Sequence, residues 1–568
     1  MPAGKRLIDR RNIRTGHRIP AENYCDQPYV VVTPQGHWLA TLTTGKGREG
    51  DQGQHIVSAI STDHGKTWGE LVDIEPASGP EASWVVPLLT PGGRVYAFYT
   101  YNGDNVRTLR GKPVRADTIG WYAFKHSDDG GRTWSARRHR IPLPVAACDR
   151  GNDWQGAVQI FWGIDKPKIA HGAAIFAFTR LGRYMLEQGE GWFLRSANIL
   201  AEPDPAKIRW ELLPDGDRGL RTPQFGSVQE EHNLVPLTQP GHLYCVYRTT
   251  TGYPCHATSA DGGHTWTAPV HMTYAPGSRR IKNNRACPKL WKTANGRYLF
   301  WFHNHSGRSF QQRNPAWVVG GEERDGRIHW SQPEILLYDD NPNVRMSYPD
   351  LIEQDGRYWV TETQKTVARV HEIDPTLLEG LWGQGKTKAV SREGLLLDLD
   401  AAALRAGTAP LPRSLDLDAW GGLTLDLWLT LESLDPGQVL LDARDPQGKG
   451  IALATAKAGA LELLLCDGTA TARWACDAGL LEAGRRHHIV AIADAGPRIL
   501  MFLIDGILCD GGEARQFGWG RYPAPLASLP TSGTLRLAPA LRGTLRRVRL
   551  FRRALRTSEA VAHFHAGP

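Results

Sequence analysis

Six places in the sequence hold side chains able to bind an anion or to do nucleophilic or acid–base chemistry, at spacings that a fold could gather. Arg18 stands in His17-Arg18-Ile19-Pro20, and Asp51 lies in the glycine-flanked stretch Arg48-Glu49-Gly50-Asp51-Gln52-Gly53. Glu230-Glu231 opens the run His232-Asn233-Leu234-Val235-Pro236-Leu237, and Arg248 follows after a turn at Gly241. Arg313 comes after the aromatic run Leu299 to Phe302 and its polar tail His303-Asn304-His305, and Tyr348 sits in Met346-Ser347-Tyr348-Pro349-Asp350. An arginine's planar fork binds both oxygens of a carboxylate. A phenol, with a pKa of about 10, is a poor nucleophile until a neighbouring base takes its proton. Arginines, a tyrosine and a few carboxylates therefore suit a substrate that carries its own carboxylate and would repel a carboxylate nucleophile. On a regular strand adjacent residues face opposite ways, so one of Glu230 and Glu231 is expected to face a site, and Glu231 is preferred. His232, His303 and His305 offer a second chemistry, abstraction of a proton beside a uronate carboxylate.

The elements that must position these residues are announced by a repeat. Ser61-Thr62-Asp63-His64-Gly65-Lys66-Thr67-Trp68 recurs as Ser127-Asp128-Asp129-Gly130-Gly131-Arg132-Thr133-Trp134 and as Ser259-Ala260-Asp261-Gly262-Gly263-His264-Thr265-Trp266. The first two copies are 66 residues apart and the third lies 132 further on, two periods later. A degenerate copy runs from Asp325 to Trp330, and Ile208-Arg209-Trp210 fills the remaining slot. In such a box the Asp accepts hydrogen bonds from turn amides, the Gly permits positive φ and the Trp fills the space between neighbouring sheets. The box is thus a structural hairpin turn. One turn per four-stranded sheet, at about 65 residues per sheet, predicts an all-β fold, a six-bladed β-propeller.

Asp-boxes at this spacing on a six-bladed propeller resemble the sialidase (neuraminidase) superfamily, and the resemblance spans residues about 15 to 370. It implies an exo-α-sialidase that releases a terminal nonulosonic (sialic) acid with retention through a tyrosyl-enzyme intermediate, because sialidases use a tyrosine nucleophile. Residue by residue, it makes Arg18, Arg248 and Arg313 the clamp on the substrate carboxylate, with Arg285 and Arg308 as rivals to Arg313. Tyr348 becomes the nucleophile and Glu231, or its neighbour Glu230, the base. Asp51 becomes the acid/base, with Glu49 and Asp26 as alternatives. No cofactor and no metal are implied. The sequence departs from the family pattern at Lys46-Gly47-Arg48 and in its three histidines. A polysaccharide lyase or uronate-directed glycosidase therefore stays open, as does a non-catalytic protein that binds anionic glycans.

After Trp382 the character changes. No Asp-box appears, Leu and Ala dominate, and alternating runs such as Leu423 to Leu429 and Leu500 to Ile504 read as strands. Asp505-Gly506 predicts a tight turn between two of them. These features resemble a laminin-G/concanavalin A-like jelly roll. The expected domains are a catalytic propeller over 1–385, a linker over 386–393 and a β-sandwich over 394–568.

The whole-chain arithmetic agrees with an all-β reading. Of 568 residues 61 are Gly and 37 Pro, too many for a helical protein, and 20 Trp supply material for packed cores. A formal charge of +8 is spread without basic clusters, which speaks against a nucleic-acid partner. Eight cysteines without CxxC or metal-ligand spacing read as buried thiols. No apolar stretch is long enough for a membrane helix, so no membrane insertion is expected. Residues Met1 to Pro20 are basic without the apolar core of a secretory signal, so a complete chain is expected in the cytoplasm and a processed one outside it.

Overall fold

The computed structural model describes residues 9–568. It forms two compact units: Ile13–Trp330 with Asn341–Pro375, and Ser331–Asp340 with Thr376–Pro568, to which the described residues up to Asn12 belong. Unlike the expected domains, the units are discontinuous. Glu334 accepts the backbone N–H groups of Thr557 and Ser558 at 3.1 and 2.8 Å, and Arg11 pairs with Asp494 at 2.7 Å. Two short pieces of the first 385 residues are thereby tied to the C-terminal unit. No helix among the described residues is long and apolar enough to cross a membrane.

In the unit built on Ile13–Trp330, six antiparallel sheets of four or five strands follow one another along the chain. Their leading strands are Tyr24–Val32, Ala82–Leu89, Phe161–Trp162, Gln229–Pro236, Lys289–Lys292 and Leu351–Gln354. Along the main path of the first five sheets the strands are neighbours in sequence order. The sixth sheet takes its last strand, His17–Ile19, from the start of the chain, in antiparallel register with Ala368, Arg369 and Val370. Each of the three full boxes folds alike. In the first, Ser61 Oγ donates to Asp63 at 2.8 Å, and Asp63 accepts Thr67 N and Oγ1 at 2.9 and 2.7 Å. The other two repeat these contacts within 0.1 Å. The box tryptophans reach the preceding sheet: Trp134 Nε1 donates to Ser58 Oγ at 2.9 Å, and Trp266 stacks on Phe193 at 4.5 Å. The degenerate copy is a two-residue turn, with Asp325 and Gly326 both at positive φ. These hydrogen bonds close turns, so the repeat is structural.

The C-terminal unit holds a seven-stranded and a six-stranded antiparallel sheet. Alternate residues of Gly422–Leu431, namely Leu423, Leu425, Leu427 and Leu429, enter one apolar cluster with Leu441, Leu453, Leu463 and Leu465 of the other sheet. Asp505-Gly506, at φ 49° and 77°, turns the chain from Ile499–Ile504 into Ile507–Leu508. The final helix, Thr557–Ala566, is pinned where His563 Nδ1 meets buried Asp426 at 2.5 Å. All eight cysteines are free thiols; six are buried, and Cys148 and Cys466 are half-buried.

Candidate active site

The leading strands are irregular where they begin. Register shifts fall between Asp26 and Tyr29, between Ser83 and Val86, and between Glu230 and Asn233. A β-bulge puts an extra residue into one strand and re-aims its side chains. At the three bulges Gln27, Trp84 and Glu231 take φ of 49°, 62° and 58°, and Tyr348, just before the sixth leading strand, takes 45°. Side-chain-bearing residues in this left-handed region cost about 1–3 kcal/mol each, and such strain gathers at functional sites. The bulge also corrects the expected alternation. Glu230 and Glu231 are both buried, at 0% and 1% exposure, and both meet Arg248.

At the centre, Tyr348 donates its hydroxyl to Glu231 Oε1 at 2.8 Å. Arg248 Nη1 approaches the same oxygen at 2.6 Å, while its Nε and Nη2 hold Glu230 Oε2 at 2.9 and 2.7 Å. Glu231 Oε2 is buried and has no hydrogen-bond partner among the described residues. Burial, then the Glu231 charge, drives the Tyr348 phenol well above its ordinary pKa, against the opposing pull of Arg248. The phenol is therefore protonated at rest, with Glu231 as its acceptor. Arg285 Nη2 lies 3.2 Å from Glu230 Oε1. Arg313 donates to Ser347 Oγ at 2.6 Å, one residue from the tyrosine, and to the Phe310 carbonyl at 2.9 Å.

Two expected members are elsewhere. Arg18 sits on the strand farthest from the sixth sheet's leading strand, exposed and opposite Arg369. Three strand spacings of about 4.8 Å separate the two edges, roughly 14 Å. Its motif is an edge strand that completes the sheet. Asp51 is exposed and closes its own loop by accepting the Arg48 backbone N–H at 2.7 Å. From the first sheet and its loop come Asp26 and Glu49, the two alternatives to Asp51. Lys365 holds both: its ammonium pairs with Asp26 and lies 3.3 Å from Glu49, while resting 4.4 Å from the centre of the Tyr348 ring. Burial pushes Asp26 up despite Lys365. Glu49 is raised by burial but lowered more by Lys365 and Arg115, which bring it down to about 2. Arg115 joins Glu49 at 2.8 Å to buried Asp117 at 2.7 Å, and Trp84 donates to the Asp117 carbonyl at 2.6 Å.

The three histidines face the backbone or the core. His232 stacks on Tyr247 at 4.4 Å and meets Thr179 Oγ1 at 3.0 Å. Burial holds its imidazole down to about 3. His303 Nδ1 meets the Pro315 carbonyl at 3.2 Å. His305 Nε2 meets the Gln312 carbonyl at 2.9 Å, and burial holds that ring down to about 4. Sequence reasoning missed Lys365, Arg115, Asp117 and Trp84. A signal existed for two of these neighbourhoods, because proline inside a strand marks a bulge, and Pro28 and Pro87 follow Asp26 and Trp84 within three residues.

Residues 196–360 match the family model described as a BNR repeat-like domain. That span includes Glu231, Arg248, Arg313 and Tyr348. No curated protein matches the chain. Among solved structures the chain is similar to the Trypanosoma rangeli sialidase in complex with 2,3-difluorosialic acid, a covalent intermediate, at 13% identity and TM-score 0.45, covering 99% of this chain and 98% of that one. It is similar to the Hadza microbial sialidase Hz136 at 17% identity and TM-score 0.45, over 63% of this chain and 68% of that one. A protein of unknown function from Dyadobacter fermentans matches at 15% identity and TM-score 0.48, over 66% and 100%.

Proposed function

We propose that the six sheets are the blades of a β-propeller closed by His17–Ile19, that the two C-terminal sheets form a laminin-G-like sandwich, and that the propeller carries a retaining glycoside hydrolase site of sialidase type. The observation that carries this reading is the buried 2.8 Å contact between Tyr348 and Glu231. Binding alone has no use for a phenol held against a carboxylate, whereas nucleophilic catalysis requires that arrangement.

In the proposed reaction Tyr348 Oη attacks the anomeric carbon as its proton passes to Glu231, and the bond to the leaving oxygen breaks. Asp26 supplies the proton to that oxygen, because burial favours its protonated form while Glu49 stays ionised. Water, giving its proton to the Asp26 carboxylate, then attacks the anomeric carbon as the bond to Tyr348 Oη breaks and Glu231 returns its proton to the phenol. Arg313, Arg285 and Arg248 supply positive charge for the substrate's carboxylate, and Arg18 has no part in it. A lyase with a histidine base is disfavoured, because His232, His303 and His305 are buried and turned to other partners. The substrate class is a terminal nonulosonic acid on an α-linked glycan. Release of free acid from a 4-methylumbelliferyl sialoside is the expected result. No release from any of several nonulosonic acids, or an unsaturated product from a polyuronate, would overturn the reading.

A further inference from the structure

Lys365 touches both the proposed acid and the proposed nucleophile, although the proposed reaction gives it no step. It sits on the turn between Arg357–Thr363 and Ala368–Glu372 at φ 75°, a left-handed position that is strained for a residue with a side chain. The turn is fastened to Tyr24–Val32, the strand that bears Asp26. The Lys365 carbonyl accepts the Cys25 N–H at 2.9 Å. Thr363 Oγ1 donates to the Cys25 carbonyl at 2.7 Å and accepts the Lys365 N–H at 2.9 Å. From this anchored backbone the Lys365 ammonium pairs with Asp26 Oδ2 and lies 3.3 Å from Glu49 Oε1. It stands 4.4 Å from the centre of the Tyr348 ring and 5.8 and 5.9 Å from those of Trp84 and Tyr24.

Asp26 is fully buried, and most of what surrounds its carboxyl is uncharged. Its Oδ1 accepts the Gln27 N–H and its Oδ2 the Tyr24 hydroxyl, both at 2.9 Å. Burial drives the Tyr24 phenol well above its ordinary pKa and pushes the Cys25 thiol up to about 12, so neither carries charge. Of the charged groups nearby, Glu49 shares Lys365 and is held by Arg115, which also pairs with Asp117 at 2.7 Å. Glu231, Arg248 and Arg313 act on the Tyr348 phenol from its other side. Lys365 is thus the cation that meets Asp26 directly. When Asp26 protonates the leaving oxygen, its own O–H bond breaks, one forms on the leaving group, and a carboxylate is left in a buried place. An uncompensated buried charge is costly. Burial alone favours keeping the proton on Asp26, and Lys365 opposes it. The same cation lies against the Tyr348 ring, whose face attracts it.

We propose that Lys365 is a positioning residue for the proton transfer, holding the Asp26 carboxyl at a fixed place beside Tyr348 and neutralising the carboxylate that Asp26 becomes. Lys365 neither gives nor takes a proton in this step. The role rests on the reading of Asp26 as the acid.

The infrared band of the protonated Asp26 carboxyl, identified by its loss in Asp26→Asn, titrates without any substrate and tests the role in the full chain. Lys365→Met and Lys365→Gln, which remove the charge, should move its midpoint upward by about one to two pH units, and Lys365→Arg should keep it near the parent's. On sialyllactose the alkaline limb of kcat/KM should move the same way, with kcat about tenfold lower at its optimum. Thermal unfolding identifies the variants that fold. The proposal fails if the midpoint stays in place in a folded variant without the charge, or if Lys365→Arg moves it as far as Lys365→Met does. A fixed midpoint with a raised KM would make Lys365 a contact of the substrate instead. No Asp26 band at any pH at which the protein is folded would overturn the proposal as well. A midpoint that moves in a chain that turns over no sialoside would overturn the sialidase reading alone.

Discussion

Two carboxylates beside Tyr348 divide the proposed proton transfers, one giving a proton and the other taking one. Glu231 is placed to take it, being 2.8 Å from the Tyr348 hydroxyl. Asp26 and Glu49 share Lys365, yet their environments push them apart, one up by burial and the other down to about 2 by two cations. This difference can be read kinetically. Asp26→Asn should cost at least about a hundredfold in kcat/KM on a natural sialoside, whose leaving group needs a proton. It should cost far less on a 4-methylumbelliferyl sialoside, whose leaving group does not. Glu49→Gln should lower both substrates alike and modestly, through a loosened Lys365. Equal losses on both substrates for Asp26→Asn would remove it as the acid.

Among the structural elements, bulges and boxes do different work, and the boxes were far the more legible in the sequence, since Pro28 and Pro87 alone hint at two of the bulges. Their Ser, Asp, Gly and Trp must occupy fixed places for the turn to close, so the pattern survives as a repeat. Gly65 illustrates the constraint: its φ is 75°, and an added Cβ would lie 2.8 Å from Val370 and 2.9 Å from Trp38. Gly65→Ala should destabilise the protein by about 1–3 kcal/mol, and a denaturation midpoint equal to the parent's would contradict this. Tyr348, Glu231, Arg248 and Arg313 could be picked out because each stands close to one end of a strand. Arg18 could not be placed, because a three-residue motif does not say whether its strand leads a sheet or finishes it, and Asp51 could not because a glycine-flanked loop does not say which of its carboxylates turns inward. Lys365, on a turn between two strands at φ 75°, carries no motif at all.

Buried histidines on these elements set a pH dependence. His232 and His305 fall to about 3 and 4 by burial, from 6.5 when unfolded. Between those values the unfolded chain binds more protons. Their neutral forms thus favour the fold fully above about pH 6.5, and the benefit is lost as pH falls toward 4. The melting temperature should therefore drop between pH 7 and 5. A flat profile over that window would be the contrary result.

At the scale of the whole molecule, contiguity in sequence is a poor guide to the compact units. A chain cut at residue 385 keeps Ser331–Asp340 but loses its partners in the C-terminal unit. Glu334, 5% exposed, would lose the amides of Thr557 and Ser558, and Gln332 would lose the Leu508 amide that it accepts at 3.0 Å. A buried carboxylate stripped of its donors is costly. The fragment 1–385 should consequently melt below the intact chain or fail to stay in solution. A fragment with the full chain's melting temperature and turnover would show that these ties carry no stability.

A nucleophilic Tyr348 would become covalently attached to the sugar. The direct measurement is mass spectrometry of peptides from protein incubated with 2,3-difluorosialic acid, in parallel with sialoside turnover by the parent chain and by Tyr348→Phe. The account predicts a mass increase of one sugar on the peptide that carries Tyr348, and a Tyr348→Phe variant that folds but loses about a thousandfold or more in turnover. An adduct on Asp26 or Glu49, or near-normal turnover by Tyr348→Phe, would contradict it.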